Sequence, residues 1–396
     1  MNLECLKTLQ FNNTRYDNIS DPHRHTFNWL LELAEYHEWE SSDSSSLFFV
    51  EGKPGSGKST LSRFINQRLA KNFDSVIIAK FFYSYRDGGK QANHRKMLQS
   101  LYGILKANES FFVHFQRKYR QMKLKQLDDG TVEWEYGTLK EILLSCRNHH
   151  LESKLFLVVD AMDESDHEDR IGIFRLLRDM SALTNNQGVI KVFLTSRPIT
   201  ELPMDFPKPI LLQEKNKDDI MTYTESCLAD PDCDIPQDIK TQVKEHIVTN
   251  AKGVFLWVQL IAKELTMCVR RGLDDDQILQ FLEDIPKELE SFYERMIVRL
   301  HNDNKDFPID IEHSKQIFRF CLLSHRAVKL AELQHALAVP VHPGGFRGNS
   351  SIQTTRLSNM KKRVTHCAGN FVEITGICSR RGTHFFKRVM SCSITN

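Results

Sequence analysis

Nine residues, Gly52-Lys53-Pro54-Gly55-Ser56-Gly57-Lys58-Ser59-Thr60, carry the first recognisable chemistry of this chain. A glycine, four residues and then Gly-Lys-Ser is the spacing of a phosphate-binding P-loop. Gly52, Gly55 and Gly57 let the backbone fold back around Pro54 and Ser56 so that its N–H groups form an anion-binding nest. The positive end of the helix that follows adds to the attraction for phosphate. Lys58 can reach the β- and γ-phosphates as a point charge, the Ser59 hydroxyl can ligate Mg²⁺, and Thr60 is a spare polar group beside it. The bare spacing arises by chance in roughly one chain in a hundred of this length. Its flanks narrow that further, because an apolar strand, Leu47 to Val50, precedes it and an amphipathic helical run follows it.

A second group of residues gives such a loop something to do. The apolar run Lys154 to Asp160 (KLFLVVD) continues into Ala161-Met162-Asp163-Glu164. A carboxylate at the end of a buried strand beside the P-loop strand can hold Mg²⁺ through its water shell, which is the role expected of Asp160. Asp163 or Glu164 can then orient an attacking water and accept its proton. The residues leave both open, and DESDHED also reads as the acidic entry to a helix. The next apolar run, Val189 to Thr195, ends in Ser196-Arg197-Pro198. If that strand lies beside the P-loop strand, Arg197 stands near the γ-phosphate and can neutralise it. Arg86, in FFYSYRD, is a weaker candidate of the same kind.

The elements that must position these groups follow from pattern. Val189 to Thr195 and Lys154 to Asp160 are almost unbroken apolar runs, as in parallel strands buried on both faces. Ser75 to Ser84 and Pro209 to Gln213 complete a five-strand set that alternates with helical periodicity, which predicts a doubly wound parallel sheet with its ligand at the carboxyl ends of the strands. One aromatic-rich helix is expected over His25 to Trp39, ending in the serine-rich linker Ser41 to Ser46. From Asp218 onward the periodicity predicts helices only, the last recognisable one at Leu330 to Ala338.

Composition excludes several classes. The 53 Lys and Arg nearly cancel the 51 Asp and Glu over 396 residues, so there is no global electrostatic case for nucleic acid or membrane partners. Nine cysteines without paired CxxC spacing argue against a disulfide framework and a zinc site. No secretory leader or membrane span is expected, and the default location is cytoplasmic.

GKPGSGKST, FFYSYRD, LFLVVDAMDES and VFLTSRP, in this order, resemble the NACHT-type NTPase domain of fungal signalling proteins, also described as the nephrocystin-3-like N-terminal P-loop domain. The segments AKGVFLWVQLIAKEL, IPKELESFYERM and FCLLSHRAVKLAELQHAL resemble the helices and the winged-helix-like region that follow it in those proteins. The resemblance implies an α/β P-loop NTPase of the ASCE/STAND type with a five-stranded parallel sheet, then an all-helical region and a partial winged-helix-like region. The domains expected are a helical lead and linker over 1–46, the NTPase over 47–214, a helical domain over 215–305 and the partial winged-helix-like region over 306–396. It further implies a molecular switch that binds ATP or GTP with Mg²⁺, hydrolyses it weakly and forms nucleotide-dependent homo-oligomers, in signalling such as fungal self/non-self recognition or programmed cell death. Its signalling partners are not readable. Relatives carry effector and sensor modules that are not recognised here, so truncation at both ends is the expectation. The alternatives are a nucleotide-binding scaffold without signalling output and, less favoured for want of a lid-like insertion, a metabolic P-loop kinase.

Overall fold

The computed structural model describes residues 2–10, 14–73, 75–84, 93–99, 104–105, 108–125, 132–146, 150–151, 153–182, 188–199, 202, 206–324, 328–337, 359–368, 371–376 and 384–388. The candidate Arg86 lies outside them. Helices of eight or more residues are numbered below. The chain divides into two compact units, 1–226 with 251–256, and 227–250 with 257–396.

The first unit is built on the strands β1 (Ser46–Glu51), β2 (Val76–Phe82), β3 (Lys154–Asp160), β4 (Ile190–Ser196) and β5 (Ile210–Leu211). All pair in parallel, in the order β2-β3-β4-β1-β5. The twofold alternation of a strand sends successive side chains to opposite faces. Phe48, Val50, Phe156, Val158 and Phe193 therefore join one core, while Phe49, Leu155, Leu157, Val192 and Leu194 join the other. On the first face lie α1 (Ala34–Ser41) and α2 (Lys58–Asn72), with Leu61, Ile65 and Leu69 of α2 buried at helical spacing. Trp39 of α1 packs within 6 Å of the Phe48, Phe156 and Phe193 rings and donates its indole N–H to the Val192 carbonyl at 3.1 Å. Each such aromatic contact adds about 1 kcal/mol beyond the area it buries. The opposite face is covered by α5 (Arg170–Ser181), while α3 (Glu109–Lys125) and α4 (Tyr136–Ser145) contribute to the same core.

Three expectations change. The strand carrying Asp160 is not beside the P-loop strand, because β4 is inserted between β3 and β1. The lead segment is not one helix from His25 to Trp39. His25 and Phe27 adopt left-handed φ of 65° and 66°, and two short helices follow, Asn28–Glu32 and α1. The reason is tertiary: the Asp219 carboxylate accepts the Phe27 N–H at 3.0 and 3.1 Å and the Trp29 indole N–H at 3.0 Å, which holds the turn in a conformation that non-glycine residues disfavour. Asp219 lies in α6 (Lys217–Leu228).

The third change is in the second unit, which is not helical throughout. It contains α7 (Gln237–Asn250), α8 (Phe255–Arg270) from Trp257 onward, α9 (Asp275–Glu283), α10 (Leu289–Asp303), α11 (Pro308–Leu323), α12 (Leu330–Leu337) and α13 (Met360–Ala368), but also β6 (Val328–Lys329), β7 (Val372–Gly376) and β8 (His384–Arg388). These strands form an antiparallel sheet in the order β6-β8-β7. Among the described residues the elements follow one another as α11, β6, α12, α13, β7 and β8. No helix among the described residues is long and apolar enough to cross a membrane.

Candidate functional site

β1 delivers the chain to the loop at Gly52, whose N–H is fixed by the Ser196 carbonyl of β4 at 3.1 Å. Gly55 and Gly57 then take φ of +74° and +95°, values that a side chain disfavours, and α2 begins at Lys58. At Gly52 the constraint is space, since a Cβ there would lie 2.6 Å from Ser56 Oγ. Pro54, Ser59 and Thr60 are half-buried and Ser56 is fully buried. The Lys58 side chain is curled back into the loop, donating to the Gly52 carbonyl at 2.7 Å and the Lys53 carbonyl at 2.9 Å. Burial pushes its ammonium below the ordinary lysine range and nearby Arg197 acts in the same direction, while Asp163, Asp160 and Glu164 act against them. A phosphate would replace two weak carbonyl acceptors with full negative charge.

Asp160 ends β3 fully buried. Its Oδ1 accepts the Ser62 hydroxyl at 2.8 Å and the Thr195 hydroxyl at 2.7 Å, so the inserted strand and α2 both hold the carboxylate. Thr195 Oγ1 also accepts the N–H of Ala161 at 3.1 Å, where the chain turns with a left-handed φ of 55°. Asp160 Oδ2 is buried and has no hydrogen-bond partner among the described residues. An orphaned carboxylate oxygen in the strand that ends beside the phosphate loop has the chemistry a hydrated Mg²⁺ requires. Ser59 and Asp160 are thus the residues that would hold the ion.

Asp163 and Glu164, left equivalent by the sequence, differ in place. Asp163 Oδ1 accepts the Arg197 backbone N–H at 2.9 Å, and its Oδ2 lies 3.2 Å from Arg197 Nε. Glu164 is half-buried, and no hydrogen bond or ion pair to its carboxylate is found among the described residues. The short helical turn Met162–Glu164 is braced from below by Arg170, whose Nη2 donates to the Asp163 carbonyl at 3.1 Å and also to the Ser165 carbonyl. Behind it His94 bridges the Tyr83 hydroxyl at 2.9 Å and the Asp166 carbonyl at 3.0 Å, with burial pushing the His94 pKa down.

Lys58, Asp160, Asp163, Glu164 and Arg197 therefore share one electrostatic neighbourhood, drawn from three separate segments. Arg197 directly follows β4, the strand that pairs with the P-loop strand, and its guanidinium rests on Asp163. Sequence reasoning missed Thr195, Ser62, Arg170 and Asn216. Ser62 follows Ser59 by three residues in α2 and could have been found by helical spacing, and Thr195 directly precedes the residues singled out. Arg170 and Asn216 leave no local signal.

Residues 25–197 match the family described as Nephrocystin 3, N-terminal. The chain is 24% identical over 322 residues to vegetative incompatibility protein HET-E-1 of Podospora anserina, a match that covers 79% of this chain but only 23% of that protein. Among solved structures it is similar to Drosophila ORC bound to DNA, with TM-score 0.40, 12% identity and coverage of 98% and 88% of the two chains. It is likewise similar to Cdc6p of Pyrobaculum aerophilum, with TM-score 0.40, 12% identity and coverage of 95% and 93%. These structural likenesses are loose, and the fold assignment stands on the sheet order itself.

Proposed function

We propose that this chain, over residues 25–197 a NACHT-like P-loop NTPase, binds a nucleoside triphosphate with Mg²⁺ at Gly52, Pro54, Gly55, Ser56, Gly57, Lys58, Ser59 and Thr60 and hydrolyses it slowly as an intracellular signalling switch. The observation that carries this reading is the meeting of loop, carboxylates and arginine at the carboxyl ends of β1, β3 and β4, where the Ser196 carbonyl fixes Gly52, Ser62 of α2 donates to Asp160 and Asp163 pairs with Arg197. Lys58 leaves the Gly52 and Lys53 carbonyls and takes the β- and γ-phosphate oxygens. Ser59 and Asp160 would hold the cation, which would supply charge to screen the phosphates. Glu164, whose carboxylate is uncommitted, orients the attacking water and accepts its proton. Asp163 keeps Arg197 in place until the γ-phosphate competes for the guanidinium, so the arginine responds to the triphosphate's charge. The P-loop contacts are to phosphates, so ATP and GTP are both carried forward as ligands.

The setting we propose is fungal self/non-self recognition, on the strength of the relative's role in vegetative incompatibility, with nucleotide-dependent self-association as the output. The chain spans under a quarter of that relative's length, so this is inference from the shared segment. The test is equilibrium binding of labelled ATP and GTP with and without Mg²⁺, to the intact chain and to Lys58→Ala. We expect Mg²⁺-dependent binding that Lys58→Ala weakens at least tenfold. Equal, Mg²⁺-independent signals from both proteins would refute the reading. Light scattering with ADP and with a non-hydrolysable triphosphate separates a switch from a passive scaffold, since the scaffold keeps one mass in both.

A further inference from the structure

Asn216 has no part in the chemistry described above, yet it is wholly buried beneath the phosphate loop. Its backbone closes one helical turn and opens the next, with its N–H on the Leu212 carbonyl at 3.2 Å and its own carbonyl accepting the Ile220 N–H at 2.9 Å. Its side-chain amide joins two segments far apart in sequence. Nδ2 donates to the Ser56 carbonyl, inside the phosphate loop, at 3.3 Å and to the Gly253 carbonyl at 2.9 Å. A neutral amide nitrogen is suited to this, having two hydrogens for two carbonyls and no charge to bury.

The second segment, Ala251 to Leu256, is fitted to the loop by backbone as well. The Leu256 N–H donates to the Gly55 carbonyl at 3.2 Å. A Cβ on Gly55 would stand 2.6 Å from Leu256 Cβ, and one on Gly57 would stand 3.3 Å from the Phe255 ring. Lys252 and Gly253 turn the chain with φ of 46° and 78°, and a Cβ on Gly253 would stand 2.6 Å from the Gln213 Cα. The turn therefore has little room to move independently of what it touches. Two buried polar atoms at this junction, Asn216 Oδ1 and Ser56 Oγ, have no hydrogen-bond partner among the described residues. Buried groups left unsatisfied are few in folded proteins and call for a reason. Here they are a spare acceptor and a spare hydroxyl beside a loop whose Lys58 must release two carbonyls when phosphate arrives.

We infer that Asn216 is a positioning residue that ties the phosphate loop to the turn at 251–256, so that nucleotide bound at 52–60 is registered by that turn. The inference rests on the nucleotide binding proposed above and adds its mechanical consequence. When the loop re-forms around phosphate, the Ser56 carbonyl moves, Asn216 carries the displacement to the Gly253 carbonyl, and the Leu256 N–H follows Gly55. The chain leaves this turn directly as α8, so the start of that helix is where the occupied state is first expressed outside the loop.

Hydrogen exchange on the intact protein, with and without a non-hydrolysable Mg²⁺-triphosphate, tests this without any substitution. We expect amides of 52–60 and of 251–256 to slow together, the Leu256 amide by threefold or more. Protection at 52–60 with no change at 251–256 overturns this inference alone. No protection at either overturns the nucleotide reading and this inference with it. Asn216→Ala and Asn216→Asp should then weaken triphosphate affinity about tenfold and abolish the protection at 251–256 in folded protein. Thr224→Val is the control, since Thr224 is equally buried but its hydroxyl, among the described residues, serves only the Ile220 carbonyl at 2.7 Å. It should leave affinity and protection within twofold of the parent. Asn216 variants that bind like the parent, or a Thr224→Val that fails as they do, would mean that Asn216 acts only as filling.

Discussion

Replacing Thr195 with valine tests the least expected feature of the site, the support of Asp160 by the strand inserted between β3 and β1. The side chain is fully buried and valine has nearly its volume, so the cavity contribution is small and the hydroxyl alone is removed. The change takes a charge-assisted hydrogen bond of 2.7 Å from Asp160 Oδ1, a loss of about 1.5–3 kcal/mol. It also leaves the Ala161 N–H, now 3.1 Å from Oγ1, buried without an acceptor, which costs about 1–3 kcal/mol more. Ser62 still donates to the same carboxylate oxygen at 2.8 Å, so the lower ends apply and we expect a local destabilisation of about 2.5 kcal/mol. Thr195→Ser keeps both bonds and loses one methyl, about 1 kcal/mol. Native-state hydrogen exchange of the β3 and β4 amides reads this local free energy without requiring the two units to unfold as one. The substituted carboxylate should also need a higher Mg²⁺ concentration to support nucleotide binding. If the valine and serine variants differ by less than about 0.5 kcal/mol, the hydroxyl is not what holds Asp160 and the argument fails.

Glu164→Gln should slow triphosphate hydrolysis by about 10²–10⁴-fold while the dissociation constant stays within threefold, as measured by single-turnover phosphate release and equilibrium binding. Asp163→Asn should instead weaken triphosphate discrimination, since it removes the anchor of Arg197; the reverse pattern would exchange the two roles. Asp219 gives a pH signature in the lead segment. Burial raises its carboxyl from the ordinary 3.8 to about 6, so the folded chain binds the proton more tightly than the unfolded one. That contribution is fully present below about pH 4 and is lost as pH rises through about 6, with a ceiling of about 3 kcal/mol at roughly 1.4 kcal/mol per pH unit. Asp219→Asn should flatten this part of the profile; urea titrations of parent and variant at pH 4.5 and 7 should show a difference in stability change of about 2 kcal/mol, and parallel profiles would remove Asp219 as its source.

Much of this molecule was readable from local pattern. The phosphate loop is a contiguous motif whose glycines, lysine and serine act through backbone conformation and short reach, so its spacing alone specifies it. The strands β3 and β4 are buried on both faces and appear as unbroken apolar runs. The same logic fails where a residue acts through a partner distant in sequence. Asp163 and Glu164 are chemically alike and adjacent, and only the arrival of Arg197 from the neighbouring strand commits one and leaves the other available. The periodicity of His25 to Trp39 is helical, yet the buried Asp219 carboxylate takes the Phe27 and Trp29 donors and bends the segment into a left-handed turn. The strands β6, β7 and β8 are short, and what stabilises them is pairing across intervening helix and chain.

The sequence by itself determined that this chain has a phosphate cradle, a strand-borne carboxylate and an arginine within a parallel α/β sheet, because those depend on residue type, spacing and period. Tertiary structure alone decided the strand order that sets β4 between β1 and β3, the bridging of that gap by Thr195 and Ser62, and the seating of the 251–256 turn on the loop through Asn216. Each of these is a hydrogen bond between residues 30 or more positions apart, where the geometry of the fold and no local preference selects the partner.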